Sequence, residues 1–88
     1  SEITIKELAQ ICHVSESTFR RLFKEYMGKS PTEYRIEKRI SYAKKLLKTG
    51  GMTVIEVALE SGFDDPTYFC RVFKKQTGIT AGEYLKKK

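Results

Sequence analysis

The chain has 88 residues, in which 17 Lys and Arg outnumber 11 Asp and Glu, so its formal net charge is +6. This length suits one small domain, and no apolar run approaches the ~20 residues that span a bilayer or has the form of a signal peptide. A single histidine, two distant cysteines without metal-ligand spacing, and the lack of a phosphate-binding loop or a paired-carboxylate cleft argue against an enzyme, a metal site or a cofactor.

Two helices are predicted at the start of the chain. Residues 4–7, Thr-Ile-Lys-Glu, form a capping box, and the helix that follows is expected to bury Ile5, Leu8, Ala9 and Cys12. His13 is interpreted as a turn residue, Ser15 is placed to cap a second helix, and Gly28 ends that helix. Its inward face is predicted to contain Phe19, Leu22, Phe23 and Tyr26. Its outward face is predicted to contain Ser17, Arg20, Arg21 and Lys24.

The longest helix is predicted next. Residues 30–33, Ser-Pro-Thr-Glu, form a second capping box, and no helix breaker follows until Gly50. About 18 residues give a length of roughly 27 Å. The apolar residues expected to contact the units on either side are Tyr34, Ile40, Ala43, Leu46 and Leu47. The basic residues expected to be exposed, as a solvated surface or as phosphate contacts, are Arg35, Lys38, Arg39, Lys44, Lys45 and Lys48.

A third capping box, at residues 53–56, opens the following helix, whose buried side is expected to contain Val54, Val57 and Ala58. In the turn after this helix, Gly62 allows a positive φ and Phe63 is expected to point inward. Either Asp64 or Asp65 is predicted to cap the next helix.

Pro66 is expected to start that next helix, which again has a basic outer face. The predicted inward residues are Phe69, Val72, Phe73 and Gln76. The predicted outward residues are Thr67, Cys70, Arg71 and Lys74. After Gly78, a fourth capping box opens a short last helix that packs Tyr84 and Leu85 and frays over residues 86–88.

The chain repeats itself. A shift of 49 residues places Ala9 on Ala58, and a shift of 50 places Arg21 on Arg71 and then the rest of one helix on the other. Helix, turn and helix with a basic outer face is the sequence form of a helix-turn-helix. The fold predicted is therefore all-α: two homeodomain-like helix-turn-helix units, residues 1–29 and 53–88, joined by a connecting helix over residues 30–49.

This organisation predicts double-stranded DNA as the partner. A rigid connecting helix of roughly 27 Å would separate two groove-reading helices by a distance comparable with the ~34 Å repeat of B-DNA. Arg20 and Arg21 in the first unit, and Arg71 in the second, can each bind guanine bidentately, whereas Tyr68 and Cys70 offer apolar contacts. We therefore expect an asymmetric, bipartite site in which the first unit makes more of the specific hydrogen bonds.

Two runs of residues add a family resemblance. The second unit contains Ala58…Gly62-Phe63…Tyr68-Phe69…Arg71-Val72-Phe73-Lys74…Gly78…Thr80…Tyr84. The first contains Leu8-Ala9…Val14-Ser15…Phe19-Arg20-Arg21-Leu22-Phe23-Lys24…Gly28…Pro31…Tyr34. Together, over almost the whole chain, they resemble the C-terminal DNA-binding domain of AraC/XylS-type bacterial transcription regulators.

Cys12 and Cys70 are interpreted as reduced thiols, as expected of a cytoplasmic protein. The resemblance implies a sequence-specific regulator domain, usually an activator that contacts RNA polymerase and is attached to a sensor or receiver domain. It implies base contacts from Ser17, Arg20, Arg21, Thr67, Cys70 and Arg71. We expect phosphate contacts from Lys24, Arg39 and Lys74. The chain departs from the family pattern at Pro66, where members often have a polar reader, and at Ala81-Gly82, where they commonly have proline. The family's first helix is expected to be missing from the sequence, with a less stable first unit as the consequence.

Other interpretations remain open. The basic helices could dock an acidic protein partner, although such a surface has no reason to repeat in both units. RNA binding is disfavoured because RNA modules generally expose stacking aromatics, which are expected here to be buried. Arg21 and Arg71 could be surface salt-bridge partners, and Cys70 could be an oxidant sensor.

Overall fold

The computed structural model describes residues 3–86, and within that range all regular secondary structure is helical. The helices are α1 (Ile5–Ile11), α2 (Glu16–Met27), α3 (Pro31–Thr49), α4 (Val54–Glu60), α5 (Pro66–Thr77) and α6 (Ala81–Lys86). The chain divides into two compact units, Ser1–Ile36 and Glu37–Lys88. The predicted all-α class is confirmed, and α3 is one continuous helix across the boundary between the units.

The helix starts follow the predicted capping chemistry. Thr4 and Thr53 each accept a hydrogen bond from the backbone N–H of a Glu three residues later, and that Glu accepts one in return from the Thr backbone. Ser30 and Thr80 make the same reciprocal bonds before α3 and α6. At α5 the cap is Asp65, whose Oδ1 accepts a hydrogen bond from the Thr67 N–H at 2.9 Å. Of the two aspartates predicted as alternatives, Asp65 is therefore the cap.

The two longer outer helices end in the same way. Gly28 after α2 has φ +78°, and Gly78 after α5 has φ +86°. Each glycine donates its backbone N–H at 2.8 Å to the carbonyl oxygen of the lysine four residues earlier, Lys24 or Lys74. A left-handed residue at this position closes the helix and satisfies a carbonyl that would otherwise lack a partner.

The second unit has a closed aromatic core. Its fully buried large side chains are Leu47, Val57, Phe69 and Phe73. Phe63, which the turn was predicted to send inward, is 4% exposed, and its ring lies 5.1 Å from the ring of Phe69. The ring of Phe73 in turn meets Tyr84 of α6 edge-on, at 5.5 Å between centroids. These contacts hold α5 against α4 and α6 and fix which face of α5 points outward.

The first unit has equivalent aromatic contacts with less burial. The centroids of Phe19 and Phe23 are 6.0 Å apart, and Phe23 meets Tyr34 at 5.6 Å and 70°. All three rings are only half-buried. Among the described apolar side chains of this unit, Ala9 is buried at 2% exposure.

Three residues predicted to lie inward are exposed. Tyr26 is 88% exposed, and Gln76, its equivalent in the second unit, is also exposed. Both lie on the last turn of their helix, one residue before its end, and are exposed there although helical periodicity places them on the inward side. Cys12, predicted to belong to the apolar stripe of α1, follows the end of that helix and is exposed.

The end of the chain differs slightly from expectation. Lys86, predicted to lie in a fraying segment, is the last residue of α6. Lys87 and Lys88 lie outside the described residues. No helix in residues 3–86 is long and apolar enough to cross a membrane.

Candidate nucleic-acid interface

Each unit presents one helix whose outer face is polar and basic. Because α2 and α5 are the helices predicted to enter the DNA grooves, we call them the reading helices, and their outward sides the reading faces. The predicted outward residues of α2 are all exposed: Ser17, Arg20, Arg21 and Lys24. Those of α5 are exposed as well: Thr67, Cys70, Arg71 and Lys74. The structure therefore brings together, within each unit, the side chains predicted to contact bases and the lysine predicted to contact phosphate.

The α2 reading face contains an ion pair. The Nη1 atom of Arg21 donates to Oε1 of Glu25 at 3.0 Å, and the two side chains are 61% and 57% exposed. The residues are four apart and so lie one above the other on the helix surface. An exposed pair of this kind contributes about 0–1 kcal/mol, so Arg21 is oriented by Glu25 without being fixed to it.

The α5 reading face is shaped differently. A shallow surface depression is lined by Thr67, Cys70, Arg71, Lys74 and Lys75. Beside it, Tyr68 is 43% exposed and its ring lies 6.2 Å from that of Phe63. No ion pair links Arg71 to an acidic side chain within the described part of the chain. Pro66 stands at the first position of the helix and is half-buried, so it offers little surface to a ligand.

Arg39 was predicted to be exposed, but the structure buries part of its side chain. It is half-buried, and its Nε atom is fully buried. Its side chain lies against the α4–α5 turn, where a Cβ atom built on Gly62 would be 3.0 Å from Arg39 Nε. The long side chain therefore packs on the backbone beside the second reading helix. Its predicted phosphate contact stays a prediction.

Other basic residues of α3 are also less exposed than predicted. Arg35 is half-buried and donates a hydrogen bond to the carbonyl oxygen of Ile3, and Lys44 is half-buried as well. Lys38, Lys45 and Lys48 are exposed as expected. The α3 surface is thus only partly the solvated basic face that its composition indicated.

Comparison with known proteins decides the family. A family profile described as "Helix-turn-helix domain", of the AraC type, matches residues 8–87. The chain belongs to the AraC-type helix-turn-helix family. The resemblance predicted from the sequence motifs is confirmed, and the domain is a DNA-binding domain of transcription regulators.

Two relatives illustrate the similarity in sequence and structure. The chain is 42% identical over 84 residues to the arabinose operon regulatory protein of Salmonella typhimurium (strain LT2), an alignment that covers 96% of the chain and 30% of that protein. It is 32% identical to the C-terminal domain of the two-component response regulator yesN from Fusobacterium nucleatum, with a TM-score of 0.84, covering 96% of the chain and 82% of that structure. The chain therefore spans only about 30% of the length of such curated relatives.

A second similar structure includes DNA. The DNA-binding domain of AdpA, described as a global transcriptional factor and solved in complex with a target DNA, is 30% identical, with a TM-score of 0.86. The match covers 98% of the chain and 78% of that structure. The relatives named here are transcription regulators, which agrees with the prediction that the domain is not an enzyme.

Two residues of the reading faces were not among the predicted site residues. Glu25 pairs with Arg21 on α2, and Lys75 lines the depression on α5. The 50-residue shift places Glu25 on Lys75, so the repeat puts opposite charges at equivalent positions of the two reading faces. Comparing the two halves of the sequence position by position would have identified both residues.

Proposed function

We propose that this domain binds one asymmetric, bipartite DNA site, with α2 and α5 entering successive major-groove faces of the same duplex. Base contacts are assigned to Ser17, Arg20, Arg21, Thr67, Cys70 and Arg71, and phosphate contacts to Lys24, Arg39 and Lys74. The family and the complex of a similar domain with its target DNA support DNA as the ligand. The bipartite mode and the individual contacts are the proposal.

The observation that supports the bipartite mode best is the repetition of the reading face. Arg21 and Arg71, and likewise Lys24 and Lys74, stand 50 residues apart and are all exposed. Duplication of a fold requires only that the buried residues repeat. Repetition of exposed Arg and Lys residues is what two similar groove contacts require, whereas a surface for an acidic protein partner has no such requirement.

The two reading faces predict unequal half-sites. On α2, Arg20 and Arg21 can bind guanine O6 and N7, each contact being worth about 1–3 kcal/mol of discrimination. On α5, Arg71 is accompanied by Cys70 and Tyr68, which suit apolar contact such as a thymine methyl group. The first half-site should therefore be the more strictly specified of the two.

The full-length protein is proposed to be a cytoplasmic regulator. Relatives more than three times as long as the matched region leave room for a sensor or receiver domain, and one similar structure is the C-terminal domain of a response regulator. We propose activation through contact with RNA polymerase as the output of DNA binding.

Selection from random duplexes tests this function directly. The 88-residue chain is incubated with random duplexes of about 20 base pairs, two helical turns, at two salt concentrations, and the retained DNA is sequenced. We expect two different blocks about one helical turn apart and an affinity that falls steeply with salt as phosphate counterions are released.

Variants assign the blocks to the units. Arg21→Ala should relax base preference in one block and Arg71→Ala in the other, while Lys45→Ala, at an exposed lysine outside both reading faces, should relax neither. Retention without enrichment would refute sequence-specific reading and would favour a basic surface that docks acidic partners. A palindromic motif would refute the asymmetric mode.

A further inference from the structure

The Arg21–Glu25 pair leaves most of the guanidinium group available. Glu25 accepts one hydrogen bond, from Nη1, at 3.0 Å. A guanidinium group has five N–H donors in a planar fork, so the remaining donors can still bind two acceptors on one base edge. Arg21 can therefore keep its contact with Glu25 while it binds guanine.

A phosphate contact would use Arg21 differently. A phosphate bound by Arg21 would lie close to the Glu25 carboxylate, and the two negative charges would repel each other, whereas a guanine edge carries no charge. The pair therefore favours a guanine edge over a phosphate for the same arginine. Sequence-independent binding rests mostly on phosphate contacts, so this preference acts on specificity.

The second unit shows the contrast. Four residues after Arg71 stands Lys75, which is exposed and lines the depression on the α5 reading face. A lysine there repels Arg71 and attracts phosphate, and so promotes binding to any sequence. The two reading faces thus differ by an exchange of charge at one equivalent position, Glu25 against Lys75.

We propose that Glu25 is a positioning residue for DNA reading: by holding Arg21, it directs that side chain to a guanine edge and reduces its binding to phosphates. This inference rests on the proposed function, because it presupposes that α2 reads DNA bases. It adds a specificity-determining residue that itself need not touch DNA.

The experiment compares two duplexes. One is the duplex enriched by the wild-type chain, and the other is a scrambled duplex of the same base composition. Glu25→Gln should strengthen binding to the scrambled duplex and lower the ratio of the two affinities by roughly 2- to 5-fold, which is as much as an exposed pair worth up to ~1 kcal/mol can supply. Glu25→Ala, measured beside it, should lower the ratio in the same direction. Helical circular dichroism checks that both variants remain folded.

A double-mutant cycle shows whether Glu25 acts through Arg21. In an Arg21→Ala background, Glu25→Gln should leave the affinity ratio unchanged. Lys75→Gln, at the equivalent position of α5, is the matched control and should weaken binding to both duplexes about equally.

The outcomes separate the two proposals. An unchanged ratio in Glu25→Gln, or an equal fall in the ratio with and without Arg21, would refute the positioning role while leaving the proposed function intact. Equal affinity of the wild-type chain for both duplexes would refute the proposed function, and the role of Glu25 with it.

Discussion

At the scale of single residues, both the backbone conformation and the packing at position 62 require a glycine. Its φ of +98° is one that residues with a Cβ rarely adopt, and the space a Cβ would need is occupied by Arg39 Nε at 3.0 Å. Gly62→Ala should therefore lower the free energy of unfolding by about 2–3 kcal/mol, through backbone strain plus displacement of Arg39. Urea denaturation followed by circular dichroism measures this change.

Gly78 provides the matched control. It also has a positive φ, +86°, but no atom lies within 4 Å of the position its Cβ would occupy. Gly78→Ala should therefore cost only the backbone strain, about 1–2 kcal/mol. Replacing Arg39 with Ala as well should reduce the cost of Gly62→Ala to the same value. Equal costs for the two glycine variants in the presence of Arg39 would contradict the packing argument.

Helical periodicity predicted correctly on which side of a helix most side chains lie. The outward residues of both reading helices are exposed, and Phe63 and Phe69 are buried. Periodicity gives the direction of a side chain but not whether another element covers it at the end of a helix, so Tyr26 and Gln76, predicted to lie on the inward faces, are exposed. The position of Arg39 also escaped prediction, because its contact is with a turn distant in sequence.

At the scale of elements, the capping box at the N-terminus of α3 also lowers the pKa of one of its own residues, Glu33. The Ser30 backbone N–H donates to Glu33 Oε1 at 3.2 Å and holds the pKa of Glu33 below its ordinary value of 4.5. The Ser30 side chain, and the charges of Lys24 and Lys29, lower this pKa further. A carboxyl that is more acidic when folded stabilises the protein above its unfolded pKa, and this contribution is lost as the pH falls through the folded value.

This acidity predicts how one variant responds to pH. Glu33→Gln can still accept the Ser30 hydrogen bond but has no charge, so wild type should have the higher melting temperature at neutral pH. The difference should shrink as the pH falls below 4.5, where Glu33 becomes protonated. Thermal unfolding of both proteins between about pH 7 and about pH 3 measures it.

Glu60→Gln, a change of the same type outside any capping box, controls for the loss of one negative charge from a basic protein. A wild-type advantage over Glu33→Gln that stays constant down to the lowest pH would contradict the electrostatic part of this account.

The capping boxes themselves were predictable because each is a local pattern of four residues. The lowered pKa was not, because it depends on hydrogen-bond geometry.

At the scale of the whole molecule, the duplication allows one unit to serve as the control for the other. Phe73 and Phe23 are equivalent, and each meets a tyrosine edge-on at nearly the same distance, 5.5 Å and 5.6 Å. Phe73 is fully buried, whereas Phe23 is half-buried. Phe73→Ala should therefore cost about 3–5 kcal/mol, and Phe23→Ala roughly half as much, because less apolar surface is removed from contact.

Urea unfolding measures the loss in free energy of unfolding for each variant. If the two units unfold separately, amide hydrogen exchange shows whether the loss falls on α5 or on α2. An equal or larger cost for Phe23→Ala would contradict the burial argument.

The sequence predicted the duplication but not this difference, because the same residue types occupy the equivalent inward positions of both units. Only the surroundings of each ring distinguish them.

The final prediction concerns the spacing of the two DNA blocks and rests on the proposed bipartite reading. Because α3 is an unbroken helix of 19 residues, roughly 28 Å long, we expect it to restrict the separation of the blocks that one molecule can bind. Inserting about five base pairs between the blocks rotates one of them by half a turn, to the opposite side of the duplex. Affinity should then fall to that of a duplex with one block.

Arg71→Ala should weaken binding to the original duplex but have little further effect on the duplex with the insertion, because α5 no longer reaches its block. The control duplex has the same number of base pairs substituted outside the blocks, with the spacing kept, and should bind as the original does. Unchanged affinity after the insertion would mean that the link between the units bends to follow the DNA. In that case the helical continuity of α3 would not set the length of the site.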